Sequence, residues 1–143
     1  PEVRTTCTPC ADGEYLVGTE CIPCSPGTFS LSGATSCNAC LAGQFVASWG
    51  QSRCSFCESG RYQAEPQRSL CLDCAPGTFT SLSGATQCEA CNIGTFGDGL
   101  GQTGCGACPA GLTTGGVGAV NVSKCVCLSG TYHVSSGVAC EIG

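Results

Sequence analysis

The hydrophobic and polar positions of the chain follow a short repeat built on cysteine, glycine and one aromatic residue. After the second cysteine of a C-x-x-C pair the sequence reads C-x-x-G-x-aromatic, as at Gly27 and Phe29. Glycine adopts a positive φ at little cost, so the C-x-x-G segment predicts a tight turn. A short extended stretch follows the aromatic residue and ends at a second turn, Ser32-Gly33. Each repeat therefore predicts one small β-hairpin.

The aromatic position of the repeat holds seven of the nine aromatic residues of the chain. These seven are Tyr15, Phe29, Phe45, Tyr62, Phe79, Phe96 and Tyr132. We expect each ring to cover the neighbouring sulfur atoms and so to form a miniature core in its module. No window of the sequence shows helical periodicity, so almost no helix is predicted.

The modules are expected to stack, because a two-stranded hairpin is only marginally stable alone in water. The short period predicts that each module contacts only its neighbours. The predicted fold class is a small disulfide-rich protein of β-hairpin and loop repeats stacked into an elongated rod, with almost no helix. In this interpretation residues 1–143 form one continuous array of about eight modules, with the ranges 10–21, 24–37, 40–54, 57–71, 74–88, 91–105, 108–125 and 127–140.

The composition excludes a conventional hydrophobic core. Cysteine accounts for 17 of the 143 residues, above the roughly 8–10% that marks a crosslinked scaffold. Leu, Ile, Val and Phe together number only 26. Covalent or metal crosslinks are therefore needed to supply the stability that a core would provide.

The charge of the chain argues against several partners. Five basic residues stand against ten acidic ones, for a net charge of −5, and without a basic patch a nucleic-acid partner is disfavoured. No stretch approaches the roughly 18 consecutive apolar residues of a transmembrane helix, so we expect no membrane insertion within this segment. The chain begins at Pro1 without a signal peptide, which we interpret as a mature product or a piece of a longer chain.

The paired cysteines fit either disulfide bonds or zinc ligands, since successive C-x-x-C pairs also occur in zinc ribbons. Disulfide bonds are favoured because the run of pairs is continuous and the chain has a single lysine. The sequon Asn121-Val122-Ser123 adds a predicted N-glycosylation site at Asn121, which suits a secreted protein. We therefore expect an extracellular location, covalently attached glycans, and neither a metal nor another cofactor.

Two disulfide schemes remain open at this point, because sequence alone does not determine connectivity. The favoured ladder joins the second cysteine of each pair to the first of the next and leaves Cys7 unpaired or bonded to a cysteine outside the chain. Its bonds are Cys10–Cys21, Cys24–Cys37, Cys40–Cys54, Cys57–Cys71, Cys74–Cys88, Cys91–Cys105, Cys108–Cys125 and Cys127–Cys140. A crossed scheme, beginning with Cys7–Cys21 and Cys10–Cys24, leaves Cys140 unpaired instead.

The module C-x-x-C-x-P-G-T-F-x…G-A-T-x-C resembles the ephrin-receptor-like cysteine-rich repeat, which occurs in the EGF-like region of Eph receptor ectodomains. Near-copies of it begin at Cys24 and Cys74, and the stretch from Cys105 to Cys140 is similar to the end of that region. Repeats of the TNF-receptor type are more distant in pattern. The resemblance covers residues 7–140 and implies an extracellular, disulfide-bonded β-rich module. It implies no signalling activity, because nothing here resembles the ephrin-binding, fibronectin or kinase domains.

Catalysis is not expected. The single histidine, His133, has no nucleophile to activate, since the cysteines are predicted to be oxidised. Trp49, outside the repeat position, is interpreted either as a residue that covers its hairpin or as an exposed contact residue. Phe56 is expected to pack between modules or to face a partner.

The predicted function is that of a non-catalytic extracellular structural or adhesive segment. It would serve as a rigid spacer or building block of a secreted or cell-surface assembly, such as a glycosylated filament or appendage. The alternative is a receptor-type ectodomain segment that binds a protein ligand. The partner is accordingly a protein, either a second copy of the chain or another extracellular protein. One localised exposed apolar patch, around Trp49, would favour the alternative.

Overall fold

The chain folds into a series of two-stranded antiparallel hairpins. The computed structural model describes residues 8–128, 131–133 and 140–142. Within these residues the helical structure is limited to a single 3₁₀ turn, Val122–Lys124. Each strand pairs with its immediate partner in sequence, and consecutive disulfide bonds accompany the hairpins. The predicted class of small, disulfide-rich β-hairpin repeats with almost no helix is confirmed.

The first compact unit comprises Pro1–Cys57 and Gln63–Cys71. Its longest hairpin has four residues in each strand and places Glu14 opposite Pro23. The other two hairpins have only two residues in each strand. The pairs are β1 (Glu14–Val17) with β2 (Glu20–Pro23), β3 (Thr28–Phe29) with β4 (Asn38–Ala39), and β5 (Gln44–Phe45) with β6 (Ser55–Phe56).

The second unit comprises Glu58–Tyr62 and Leu72–Gly143. A parallel bridge joins Phe96 to Ala119 in addition to its hairpins. The pairs are β7 (Arg61–Tyr62) with β8 (Leu72–Asp73), β9 (Thr78–Phe79) with β10 (Glu89–Ala90), β11 (Thr95–Phe96) with β12 (Gly106–Ala107), β13 (Leu112–Thr114) with β14 (Cys125–Cys127), and β15 (Thr131–His133) with β16 (Cys140–Ile142).

The most deeply buried positions are cysteines rather than aromatic rings. The second cysteine of each central pair is fully buried, and so is Ser30. The ring residues of the repeat are only half-buried, a class that contains Tyr15, Phe29, Phe45, Tyr62, Phe79 and Phe96. The fully buried cysteines are Cys24, Cys40, Cys57, Cys74 and Cys91. Sulfur therefore occupies the centre of each of these modules, and the rings are less deeply buried.

In the first unit, the residue after the aromatic position connects three modules. The N–H of Ser30 donates to Gln51 O at 3.2 Å, and its carbonyl accepts from Gly13 N at 2.9 Å. Its hydroxyl donates to Glu14 O at 2.8 Å. Ser30 belongs to the range 24–37, whereas its partners lie in 10–21 and 40–54. The polar groups of this buried residue are thus satisfied by the neighbouring modules instead of by water.

The second unit repeats this arrangement at Thr80. The N–H of Thr80 donates to Gln102 O at 3.1 Å, and its carbonyl accepts from Gly60 N at 2.8 Å. Gly60 also lies against the carbonyl of Gly101, two modules further along the chain. The expectation that each module contacts only its neighbours is therefore wrong for these residues. Glycine makes the longer contact possible, because it has no side chain to separate the two main chains.

Candidate functional site

The disulfide bonds join cysteines whose Cα atoms are 5.5 to 5.8 Å apart, the usual separation for such bonds. Each links the second cysteine of one pair to the first of the next, as in the ladder scheme and not the crossed scheme. The bonds are Cys10–Cys21, Cys24–Cys37, Cys40–Cys54, Cys57–Cys71, Cys74–Cys88, Cys91–Cys105, Cys108–Cys125 and Cys127–Cys140. Oxidised sulfur of this kind is not available as a metal ligand or a nucleophile.

In the described part of the chain, no three His, Cys, Asp or Glu side chains come together in a way that could hold a metal ion. Of the predicted site residues, Cys7 lies outside the described residues, and so do the side chains of Tyr132 and His133.

The predicted glycan acceptor, Asn121, lies on the surface at the start of the 3₁₀ turn. Its Oδ1 accepts a hydrogen bond from Ser123 N at 3.1 Å, which caps the turn, and it also contacts the Ser123 hydroxyl. All three residues of the sequon are exposed. The amide nitrogen, where a glycan would attach, is thus left outside the cap.

Trp49 lies at the second turn of its module, directly before Gly50, and 62% of its surface is exposed. Of the two roles considered for it, this exposure favours a contact role. Phe56, on β6, is similarly exposed. Unlike Phe56, Trp49 borders a cleft of about 450 Å³ within the first unit, together with Tyr15 and Gln67. The lining contains no charged side chain; its other members are Ile22, Pro23, Ser25, Thr28, Ser36 and Cys37.

Two features of the fold cannot be predicted when the sequence of each module is considered by itself. The buried connectors Ser30 and Thr80 look like ordinary hairpin residues, since both are small and polar. Gln67 occupies a turn position at which the other modules have glycine, and it has a φ of +58°. An alignment of the modules with one another would have singled out Gln67, because it replaces the residue type that the turn requires.

None of the described helical structure is long and apolar enough to cross a membrane.

Comparison with known protein families identifies the family of these modules. The family model described as tyrosine-protein kinase ephrin type A/B receptor-like matches twice, at residues 43–87 and 81–125. The two matches together span more than half of the chain. A search among curated proteins finds no match. The matched family is an extracellular, receptor-type, non-catalytic repeat, and the tandem disulfide bonds suit an oxidising environment. The chain therefore belongs to the ephrin-receptor-like family of cysteine-rich repeats.

Proposed function

We propose that the chain is a structural and adhesive segment, a rigid spacer or building block of a secreted or cell-surface assembly. The observation that carries this proposal is that each module is closed by its own disulfide bond and is joined to the next by main-chain hydrogen bonds. Disulfide bonds close the individual hairpins, and main-chain hydrogen bonds through residues such as Ser30 and Thr80 join one hairpin to the next. A hinge at such a residue would leave buried N–H and C=O groups without partners, which is costly.

The proposal extends to the organisation of the whole chain. Under this proposal the modules from 10–21 to 127–140 form one continuous array. That they stack into a rod stays a prediction. The regular recurrence of the connector position supports this view, since Ser30, Val46, Gln63, Thr80 and Thr114 are all buried. An N-glycan at Asn121 would sit on an exposed turn, as expected for a glycosylated filament or appendage.

Self-association is the property that separates a building block from a solitary domain. The oxidised, glycosylated chain from secretory expression should form larger species as its concentration rises, measured by sedimentation velocity and seen by negative-stain microscopy. Reduced and alkylated chain should form none of them, because the hairpins depend on the disulfide bonds. Dispersed monomers at every concentration would contradict the role of an assembly subunit.

The alternative, a receptor-type segment that binds a protein ligand, has one specific observation in its favour. Trp49 combines high exposure with a position beside a cleft, which is how contact residues of binding surfaces are often arranged. Under this alternative the chain stays monomeric, and Trp49→Ala removes ligand binding. Leu100→Ala, a change at a similarly exposed turn residue that does not line the cleft, should leave binding intact.

A further inference from the structure

Gln67 occupies a turn position that is otherwise reserved for glycine. Among the described residues it is the only non-glycine residue with a positive φ. The equivalent turns have glycine with φ between +67° and +81°, at Gly33, Gly50, Gly84, Gly101 and Gly118. The left-handed region is disfavoured for a residue with a Cβ atom, so this glutamine is held under backbone strain.

The main chain of Gln67 does nothing that glycine cannot do. Its N–H donates to Cys40 O at 2.8 Å, as Gly50 N does to Cys24 O and Gly101 N to Cys74 O. Its carbonyl oxygen lies 2.6 Å from the position that a Cβ on Gly27 would take. The carbonyl of Gly101 approaches Gly60 in the same way. The turn itself therefore gives no reason for the glutamine. Strained residues of this kind cluster at functional sites, which points to the side chain as the reason.

Gln67 is one of the residues that line the cleft of about 450 Å³ that Trp49 and Tyr15 border, and it is exposed. This volume lies within the range of small-molecule sites in proteins. Trp49 is the single tryptophan of the chain. The cleft thus combines the one strained glutamine and the one tryptophan, and both depart from the repeat pattern in adjacent modules.

Several polar groups of the cleft have unused hydrogen-bonding capacity. The structure shows no intramolecular hydrogen bond from the described residues to the Gln67 amide, the Tyr15 hydroxyl or the Trp49 Nε1–H. The hydroxyls of Ser25 and Ser36 are likewise unpaired. By contrast, the Thr28 hydroxyl is engaged, since it donates to Ser25 O at 2.7 Å. The lining of the cleft therefore includes two aromatic residues together with donors and acceptors that the fold does not use.

We propose that this cleft binds a neutral saccharide. The negative face of an aromatic ring attracts the C–H-bearing face of a pyranose, and Trp49 is 62% exposed beside the cleft. The rim of sugar hydroxyls can both donate and accept hydrogen bonds, as can the amide of Gln67 and the serine hydroxyls. The strained glutamine then has a role that glycine cannot fill.

Other ligand classes fit the lining less well. A charged ligand would meet no counter-charge, because no charged side chain lines the cleft. A purely apolar ligand would cover the Gln67 amide and the Tyr15 hydroxyl without providing hydrogen bonds, which costs binding free energy. A peptide with an apolar anchor is the remaining competitor, and the experiment is designed to separate it from a saccharide.

Tryptophan emission provides a direct measurement, since its signal comes from Trp49 alone. The oxidised chain is titrated with the methyl glycosides of glucose, galactose, mannose and N-acetylglucosamine, with lactose, and with the blocked peptide acetyl-Pro-Leu-Pro-amide. At least one saccharide should shift the emission in a saturable manner. Gln67→Gly, which gives this turn the glycine of the equivalent turns, should weaken the binding of that saccharide about fivefold or more, as expected for one lost hydrogen bond.

The stability of the same variant distinguishes a ligand contact from a structural role. Because glycine relieves the strain, the thermal midpoint of Gln67→Gly should not fall. Leu100→Ala should alter neither binding nor the emission of Trp49. The proposal is overturned if no saccharide shifts the emission, if Gln67→Gly binds the saccharide as tightly as the unchanged chain, or if only the peptide binds. These outcomes do not depend on whether the chain self-associates.

Discussion

The Cα atom of Gly60 lies so close to the carbonyl oxygen of Gly101 that a Cβ on Gly60 would overlap it. Gly60 has a φ of +84°, and its N–H donates to Thr80 O at 2.8 Å. Glycine is thus required here for space and for backbone conformation at once. Gly27 in the first unit has the same relationship to Gln67: a Cβ on Gly27 would lie 2.6 Å from the carbonyl oxygen of Gln67. The C-x-x-G glycine, which sequence reasoning interprets as a local turn, also lets distant modules approach.

Gly60→Ala should therefore destabilise the protein much more than an ordinary surface substitution. The positive φ alone costs about 1–3 kcal/mol for a residue with a Cβ atom, and the overlap with Gly101 adds to this cost. Chemical denaturation of the oxidised chain, followed by circular dichroism, measures the loss in the free energy of unfolding.

Gly104→Ala is the matched control, because a Cβ there meets no atom within 4 Å and the position is exposed. Its free energy of unfolding should stay within about 0.5 kcal/mol of the unchanged chain. Equal losses for the two variants would show that the approach of Gly60 to Gly101 contributes nothing.

Ser30→Ala tests the connector position. The change removes the buried hydroxyl that donates to Glu14 O, so the free energy of unfolding should fall by about 1 kcal/mol. Ser81→Ala removes a hydroxyl from an exposed serine and should have almost no effect. Thermal unfolding of both variants side by side provides the comparison. A harmless Ser30→Ala would mean that the main-chain bonds alone hold the modules together.

Removal of one bridge tests how much the disulfide bonds contribute. The double variant Cys91→Ser, Cys105→Ser loses a bond within the second unit, and the free energy of unfolding should fall by about 2–5 kcal/mol. Reduction of all bonds should abolish the β signal in circular dichroism, since little apolar core remains. A spectrum unchanged by reductant would be incompatible with a disulfide scaffold.

The connectivity itself is open to direct measurement. Proteolysis without reduction, followed by mass spectrometry, should yield peptides joined through Cys10–Cys21 and Cys24–Cys37. Peptides joined through Cys7 and Cys21 would instead support the crossed scheme. The same digest reports whether Cys7 is free or bonded to a second chain.

Glycosylation at Asn121 is tested by expression in a secretory eukaryotic host. The unchanged chain should carry one N-glycan that an amidase removes, because the sequon lies on an exposed turn. Asn121→Gln and Ser123→Ala should both lack it. Ser123→Thr keeps the sequon and should keep the glycan. A chain of identical mass before and after amidase treatment would contradict the predicted site.

The local features of the fold could be predicted from sequence because they depend on residues a few positions apart. A C-x-x-G turn, an aromatic residue and the next cysteine determine one hairpin, as Gly27, Phe29 and Cys37 do. The burial of Ser30 could not be predicted in this way. It follows from the packing of Gly13 and Gln51 against it, and these residues belong to other modules.

The candidate binding site was predicted only in part, for a related reason. Trp49 stood out because it departs from the repeat, but a sequence does not show whether a ring points into its hairpin or into solvent. Its exposure, and its position beside the same cleft as Tyr15 and Gln67, come from the packing of separate modules. By itself, the sequence determined the crosslinked hairpin repeat and its family, because short-range spacing encodes both. Only the tertiary structure decided which residues connect modules and which surround the cleft, because those contacts join residues far apart in the chain.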